Sequence, residues 1–93
     1  MIRRVVGDSM RPTLLPGTLV IALRSRRVRK GDVVVLHHDG LEKIKRITGM
    51  QQDGVFVVGD NAASSTDSRT FGWISHEDVV AKVLWPRTTR SRE

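Results

Sequence analysis

With 93 residues, 39% of them apolar, and a net charge of +6, the chain has material for one small domain around a single core, stable by roughly 5–14 kcal/mol. It contains no cysteine, which excludes disulfides and thiolate metal sites and leaves the compartment unread from redox chemistry. The longest unbroken apolar run, Leu19 to Leu23, is five residues where a membrane span needs about 20, and the polar Gly7-Asp8-Ser9 arrives too early for a cleavable leader, so a soluble chain is expected.

In chain order, short runs rich in Val and Ile predict strands at Ile2 to Val6, Leu19 to Leu23, Val33 to His37, Leu41 to Thr48, Val55 to Val58 and Val79 to Leu84. Turn signals part them. Pro16-Gly17 fits a type II turn, since proline sets φ and glycine accepts the positive φ. The basic block Arg24 to Lys30 closes at Gly31-Asp32. Asp39-Gly40 suits a type I′ hairpin, and Asp53-Gly54 repeats the signal. The polar stretch Asn61 to Arg69 has no apolar periodicity and is expected to be a loop; such a loop in a small domain is more often functional than idle. Ser75 to Val79 hints at a helical turn with Ser75 as N-cap. The pattern predicts a mainly β domain over residues 1–86, a small antiparallel sheet or partly closed barrel, followed by a basic tail at 87–93.

Three segments carry candidate chemistry. In Gly7-Asp8-Ser9-Met10-Arg11-Pro12 a serine sits between a flexible pair and a proline that stops strand continuation. That lifts Ser9 from any ladder and leaves nearby backbone N–H groups unpaired, as an oxyanion hole requires. Alone, Gly-Asp-Ser is a common turn. In Glu42-Lys43-Ile44-Lys45-Arg46-Ile47 the two-residue period puts Lys45 on the face of the apolar Ile47. A base near neutral pH needs a lysine well below its ordinary value of about 10.4, and burial can produce that. The same pattern also fits a charged surface strand. The loop Gly59-Asp60-Asn61 through Asp67-Ser68-Arg69-Thr70-Phe71-Gly72 supplies short hydrogen-bonding side chains, including Asp67 and Arg69, which can pair and fix it, and hydroxyls able to accept from or donate to a neutral amine.

Taken together and in this order, Ser9-Met10-Arg11-Pro12-Thr13-Leu14, Gly31-Asp32-Val33-Val34, Lys45-Arg46 and Gly59-Asp60-Asn61…Asp67-Ser68-Arg69-Thr70-Phe71-Gly72 resemble the boxes of the signal peptidase I family of serine–lysine peptidases. The resemblance spans positions 9 to 72 and implies a mostly β fold and a Ser9/Lys45 dyad. It implies a Ser65 hydroxyl that orients the lysine amine, an Asp67–Arg69 structural pair, and an oxyanion hole at the Gly7-Asp8-Ser9 turn. Some relatives place a serine where Gly7 stands, so here the hole would rest on backbone. Met10 is expected to line the substrate pocket. Eight residues precede Ser9, and Lys45-Arg46 leads directly to the next hairpin. That short layout resembles the small proteases that mature nickel-type superoxide dismutase by removing an N-terminal leader.

The implied substrate is a precursor polypeptide with such a leader, with no cofactor and no metal site. A minimal signal peptidase acting on secreted precursors is the alternative. Cytoplasmic placement goes with the first reading and membrane association with the second, the basic surface offering contact with anionic lipid. A Ser-His-Asp hydrolase using His37, His38 or His76 with Asp60 or Asp67 lacks the Gly-x-Ser-x-Gly elbow. Self-cleaving repressors of the DNA-damage response cut well upstream of their serine, and eight residues are too few for that. A basic nucleic-acid-binding barrel would want more aromatic platforms than Phe56, Phe71, Trp73 and Trp85 provide, so no specific nucleic-acid partner is expected.

Overall fold

The computed structural model describes residues 1–25 and 27–88. Its elements are β1 (Ile2–Arg4), β2 (Leu19–Leu23), β3 (Val33–His38), β4 (Leu41–Gln51), β5 (Gly54–Val58), a 3-10 turn (Ala62–Ser64), a short helix α1 (Ser68–Phe71), β6 (Ile74–Ser75), a second 3-10 turn (His76–Asp78) and β7 (Val79–Trp85). The strands form one antiparallel sheet in the order β1-β2-β7-β3-β4-β5-β6. Of the two expected architectures, sheet and partly closed barrel, the protein adopts the open sheet, with β1 and β6 at its edges. No helix among the described residues is long and apolar enough to cross a membrane.

β3 explains why the sheet has a core on each side. Its run Val33-Val34-Val35-Leu36 is wholly buried, as a strand covered on both faces requires. Alternation sends Val33 and Val35 into one cluster with Val5, Met10, Leu14, Val20, Ala22, Ala81 and Val83. Val34 and Leu36 enter the other, with Ile47, Val55, Val57, Ile74 and Val79. β4 obeys the same rule: Ile44 packs against the first cluster and Ile47 belongs to the second. On β2 the alternate residues Leu19, Ile21 and Leu23 are exposed. Ile21 lies opposite Ile2 on one side and Trp85 on the other, both also exposed.

The turns divide according to their backbone. At Asp39-Gly40 both residues have positive φ, 56° and 75°, as a type I′ hairpin needs. Asp53-Gly54 does not repeat it. There the turn falls on Gln52-Asp53, and Gly54 is already a buried β5 residue without positive φ. Its glycine serves close packing instead, because a Cβ would stand 3.1 Å from the Ile74 carbonyl oxygen of β6. β1 ends at Arg4, two residues sooner than expected. The stretch Asn61 to Arg69 is only partly a loop, since it contains the 3-10 turn and the start of α1, capped by the Asp67 side chain on Arg69 N–H. Ser75 caps the second 3-10 turn by accepting from Glu77 N–H. From Thr89 onward the basic tail lies outside the described residues, as does Arg26 of the basic block.

Candidate active site

The Ser9 turn hangs between two anchors of the first core. Met10 and Leu14 are each 1% exposed, and Leu14 N–H donates to the Met10 carbonyl at 2.9 Å. Burial of these side chains holds the intervening segment down and leaves Asp8 and Arg11 outside, paired at 2.6 Å. Gly7, at φ +79°, takes the left-handed conformation that lets the chain leave Val5 and reverse. Among the described residues the backbone N–H groups of Ser9 and Met10 donate to no protein acceptor.

A second segment fastens this turn from above. Asn61 N–H donates to the Ser9 carbonyl at 2.8 Å, and its side-chain amide donates to the Asp8 carbonyl at 3.1 Å. Asp60 next to it accepts two parallel bonds from Arg46, both 2.9 Å, and one from the Thr13 hydroxyl at 2.5 Å. Arg46 also donates to the Gly31 carbonyl at 2.7 Å. The ion pair is almost wholly withdrawn from water, with 5% and 1% side-chain exposure. Removing one partner of such a pair strands the other charge and costs about 3–5 kcal/mol. It joins β4, the Gly59–Asn61 turn and the Ser9 segment, and sequence reasoning did not find it. The available signal was an arginine on a buried strand, which must find a carboxylate.

Lys45 is 5% exposed. Its Nζ donates to Ser65 Oγ at 3.1 Å. Ser65 Oγ donates to Asp67 Oδ2 at 2.5 Å, and Gly59 N–H donates to both Ser65 Oγ (3.2 Å) and Asp67 Oδ2 (2.8 Å). Arg69 completes the chain with bonds to Asp67 Oδ1 at 2.9 Å and Oδ2 at 2.6 Å. Asp67 has no exposed surface. Burial alone would push its carboxyl pKa up, but the bonds from Arg69, Ser65 and the Gly59 and Arg69 N–H groups outweigh it and hold the pKa well below the usual carboxylate range. An ionised Asp67 only accepts, so the single Ser65 proton goes to it, and the lone pairs of Ser65 face Lys45 and Gly59. Ser65 therefore accepts a hydrogen bond from the lysine amine and donates none to it. A neutral Lys45 keeps its lone pair for another donor.

Burial lowers the Lys45 pKa below its ordinary value; Asp67 opposes, while Lys43 and Arg69 add to the lowering. Lys45 and Ser9 line the same cleft, of about 330 Å³, with Arg4, Val5, Val6, Met10, Glu42, Lys43, Ile44 and Thr66. In this structure Lys45 bonds Ser65 and not Ser9; the two share the cleft rather than a hydrogen bond. Gly59 lies between Ser65 and the Ser9 carbonyl. A Cβ there would collide with Ser65 Oγ and stand 2.6 Å from the Ser9 carbonyl oxygen, so the close approach of the two segments requires glycine. No histidine lines the cleft. His37 is exposed beside Glu42, His38 stacks on Phe71, and His76 approaches the Gln51 carbonyl. Among the described residues no group of three or more His, Cys, Asp or Glu side chains is placed to hold a metal ion.

The cleft thus holds a hydroxyl and a desolvated amine near unpaired backbone N–H groups. The chain matches the Peptidase S24-like family over residues 1–83 and belongs to that family of peptidases. Among similar proteins, signal peptidase I of Bacillus caldolyticus is 41% identical over 49 residues, which is 50% of this chain. The match covers 27% of the relative's length.

Two consequences are measurable. Gly59→Ala is expected to destabilise the protein by about 1–3 kcal/mol in urea unfolding, because the added methyl overpacks backbone against a fixed hydroxyl. Lys45 makes stability depend on pH. The unfolded chain keeps the lysine proton up to about pH 10.4, whereas the folded chain releases it earlier. Stability therefore rises with pH between the two pKa values and carries the full penalty below the folded one. Lys45→Met is expected to raise the unfolding midpoint at about pH 7 and to lose that advantage towards about pH 10.

Proposed function

We propose that the chain is a serine endopeptidase with a Ser9/Lys45 dyad that removes an N-terminal leader from a precursor polypeptide, the precursor being a nickel-type superoxide dismutase. The observation that supports the dyad is the direction of the Lys45–Ser65–Asp67 hydrogen bonds, which leaves the amine's lone pair uncommitted in the cleft that Ser9 also lines. Ser9 Oγ attacks the scissile carbonyl carbon while its proton passes to Lys45 Nζ. The Ser9 N–H receives the developing oxyanion. The Lys45 ammonium then gives its proton to the departing amine, leaving an ester on Ser9. Water, deprotonated by Lys45, attacks that ester; the acyl C–Oγ bond breaks, the Lys45 ammonium returns its proton to Ser9 Oγ, and the new carboxyl terminus is freed. The dismutase assignment rests on layout: β4 passes from Lys45-Arg46 straight into the tight Gln52-Asp53 turn, as in the short dismutase-maturing proteases that the sequence resembles.

Incubation of the chain with a leader-bearing nickel-dismutase precursor is expected to yield one new amino terminus, read by mass spectrometry. Ser9→Ala and Lys45→Ala should each abolish it with unchanged circular dichroism. The rate should rise with pH along a limb below the ordinary lysine range, because the working form of Lys45 is deprotonated. Full activity in Lys45→Ala would end this reading.

One observation favours the alternative of a minimal signal peptidase at a membrane. Ile2, Leu19, Ile21, Leu23 and Trp85 form an exposed apolar patch with exposed Arg4 and Arg24 nearby. Apolar surface and cations together suit an anionic lipid surface. On that reading the chain co-sediments with phosphatidylglycerol vesicles but not phosphatidylcholine vesicles, and Leu19→Ser with Ile21→Ser releases it. Absence of vesicle binding would leave the dismutase reading alone.

A further inference from the structure

The cleft beside Ser9 is apolar on one part of its lining and cationic on another. Val5, Val6, Met10 and Ile44 supply the apolar part. The charged groups in it are Arg4, Lys43, Lys45 and Glu42. Lys45 is held towards its neutral form, as described above. Glu42 is already engaged, with Arg3 Nε at 2.6 Å and His37 Nε2 at 3.7 Å. Arg4 and Lys43 have no carboxylate within ion-pair distance among the described residues. Arg4 spends one N–H on the Gly17 carbonyl at 3.0 Å, and Lys43 rests 4.9 Å above the Phe71 ring. Phe71 is in turn stacked on His38 at 3.9 Å between ring centroids. Lys43 is therefore a positioned cation rather than a free surface lysine. Neither contact of Arg4 or Lys43 neutralises its charge.

Accordingly, we infer that Arg4 and Lys43 are specificity-determining residues: together they form a cationic rim that selects substrates carrying an acidic side chain within a few residues of the scissile bond. The inference rests on the peptidase reading above and adds to it a chemical class of substrate. An acidic side chain meets two unpaired cations at the rim, whereas a basic one meets them as like charges, which is the repulsive element that discrimination needs. Rim charges are partly solvated, so the preference is modest, about threefold to tenfold, and it weakens as salt screens it.

The test has two arms. In the first, wild-type enzyme digests a proteome-derived peptide library at low salt, and the new termini are sequenced by mass spectrometry. Asp and Glu should be enriched about threefold to tenfold within a few residues of the cuts. The enrichment should fall at about 0.5 M salt, vanish in the Arg4→Gln/Lys43→Gln double variant, and turn towards Lys and Arg in Lys43→Glu. Cuts without acidic enrichment, or enrichment that survives in the double variant, overturn the rim. The second arm does not need catalysis. Ser9→Ala is titrated with an alanine-rich peptide carrying a single Glu, and with the same peptide carrying Lys, while the amide resonances of Val6, Met10 and Lys43 are followed by NMR. Tighter binding of the Glu peptide, lost in the double variant, supports the rim; equal binding of both, or of neither, overturns it. Acid-selective binding by a wild-type chain that cuts no peptide would sink the catalytic reading and leave the rim standing.

Discussion

The arrangement depends on one buried carboxylate. Asp67 has no contact with water, yet it stays ionised because Arg69, Ser65 and two backbone N–H groups all donate to it. Being an acceptor only, it accepts the Ser65 O–H hydrogen bond and thereby decides which way the Ser65–Lys45 bond runs. Gly59 belongs to the same knot through its N–H, and the absence of a side chain there lets the Ser9 carbonyl come close. Orientation of the amine and placement of the hydroxyl are two ends of one hydrogen-bond system. The Asp60–Arg46 pair, with Thr13 and Asn61, fastens that system to the sheet and to the Ser9 turn.

Holding a lysine out of water is expensive on the scale of a small domain's total stability. The two clusters on either face of β3 supply the offset, and the placement of Lys45 on the strand beside β3 follows from it. Lys45 pairs with Val34 across the ladder, and its side chain is buried although β5 pairs with β4 only from Arg46 onward. Had the same residue stood on edge strand β1 or β6, its long side chain would have reached water and kept its proton.

Much of the fold was legible because strand periodicity and turn chemistry are local. The Val and Ile runs marked β2, β3, β5 and β7 closely, and Asp39-Gly40 announced its turn. Asp53-Gly54 misled for a physical reason: glycine answers both to positive φ and to close backbone approach, and only the packing of β6 on β5 tells which applies. β6 itself is two residues long and carries no periodicity to read. At the site, Ser9, Lys45, Asp67 and Arg69 were candidates from their own chemistry and Ser65 from the resemblance, and the structure brings Lys45, Ser65, Asp67 and Arg69 into one hydrogen-bonded chain. The Arg46–Asp60–Thr13 cluster was not legible, since its members lie 14 and 47 residues from Asp60 and each has an innocent local explanation. Nor was the cationic rim, which needs β1 and β4 set against the same cleft.

The central claim is that burial lowers the Lys45 pKa in the folded chain, and its own titration tests this most directly. With lysine labelled at Cε, the four lysines can be followed by carbon-13 NMR across the pH range of the folded protein. The account requires one resonance, missing in Lys45→Met, to titrate below the ordinary lysine value of about 10.4. Four resonances titrating together near about pH 10.4 would contradict it.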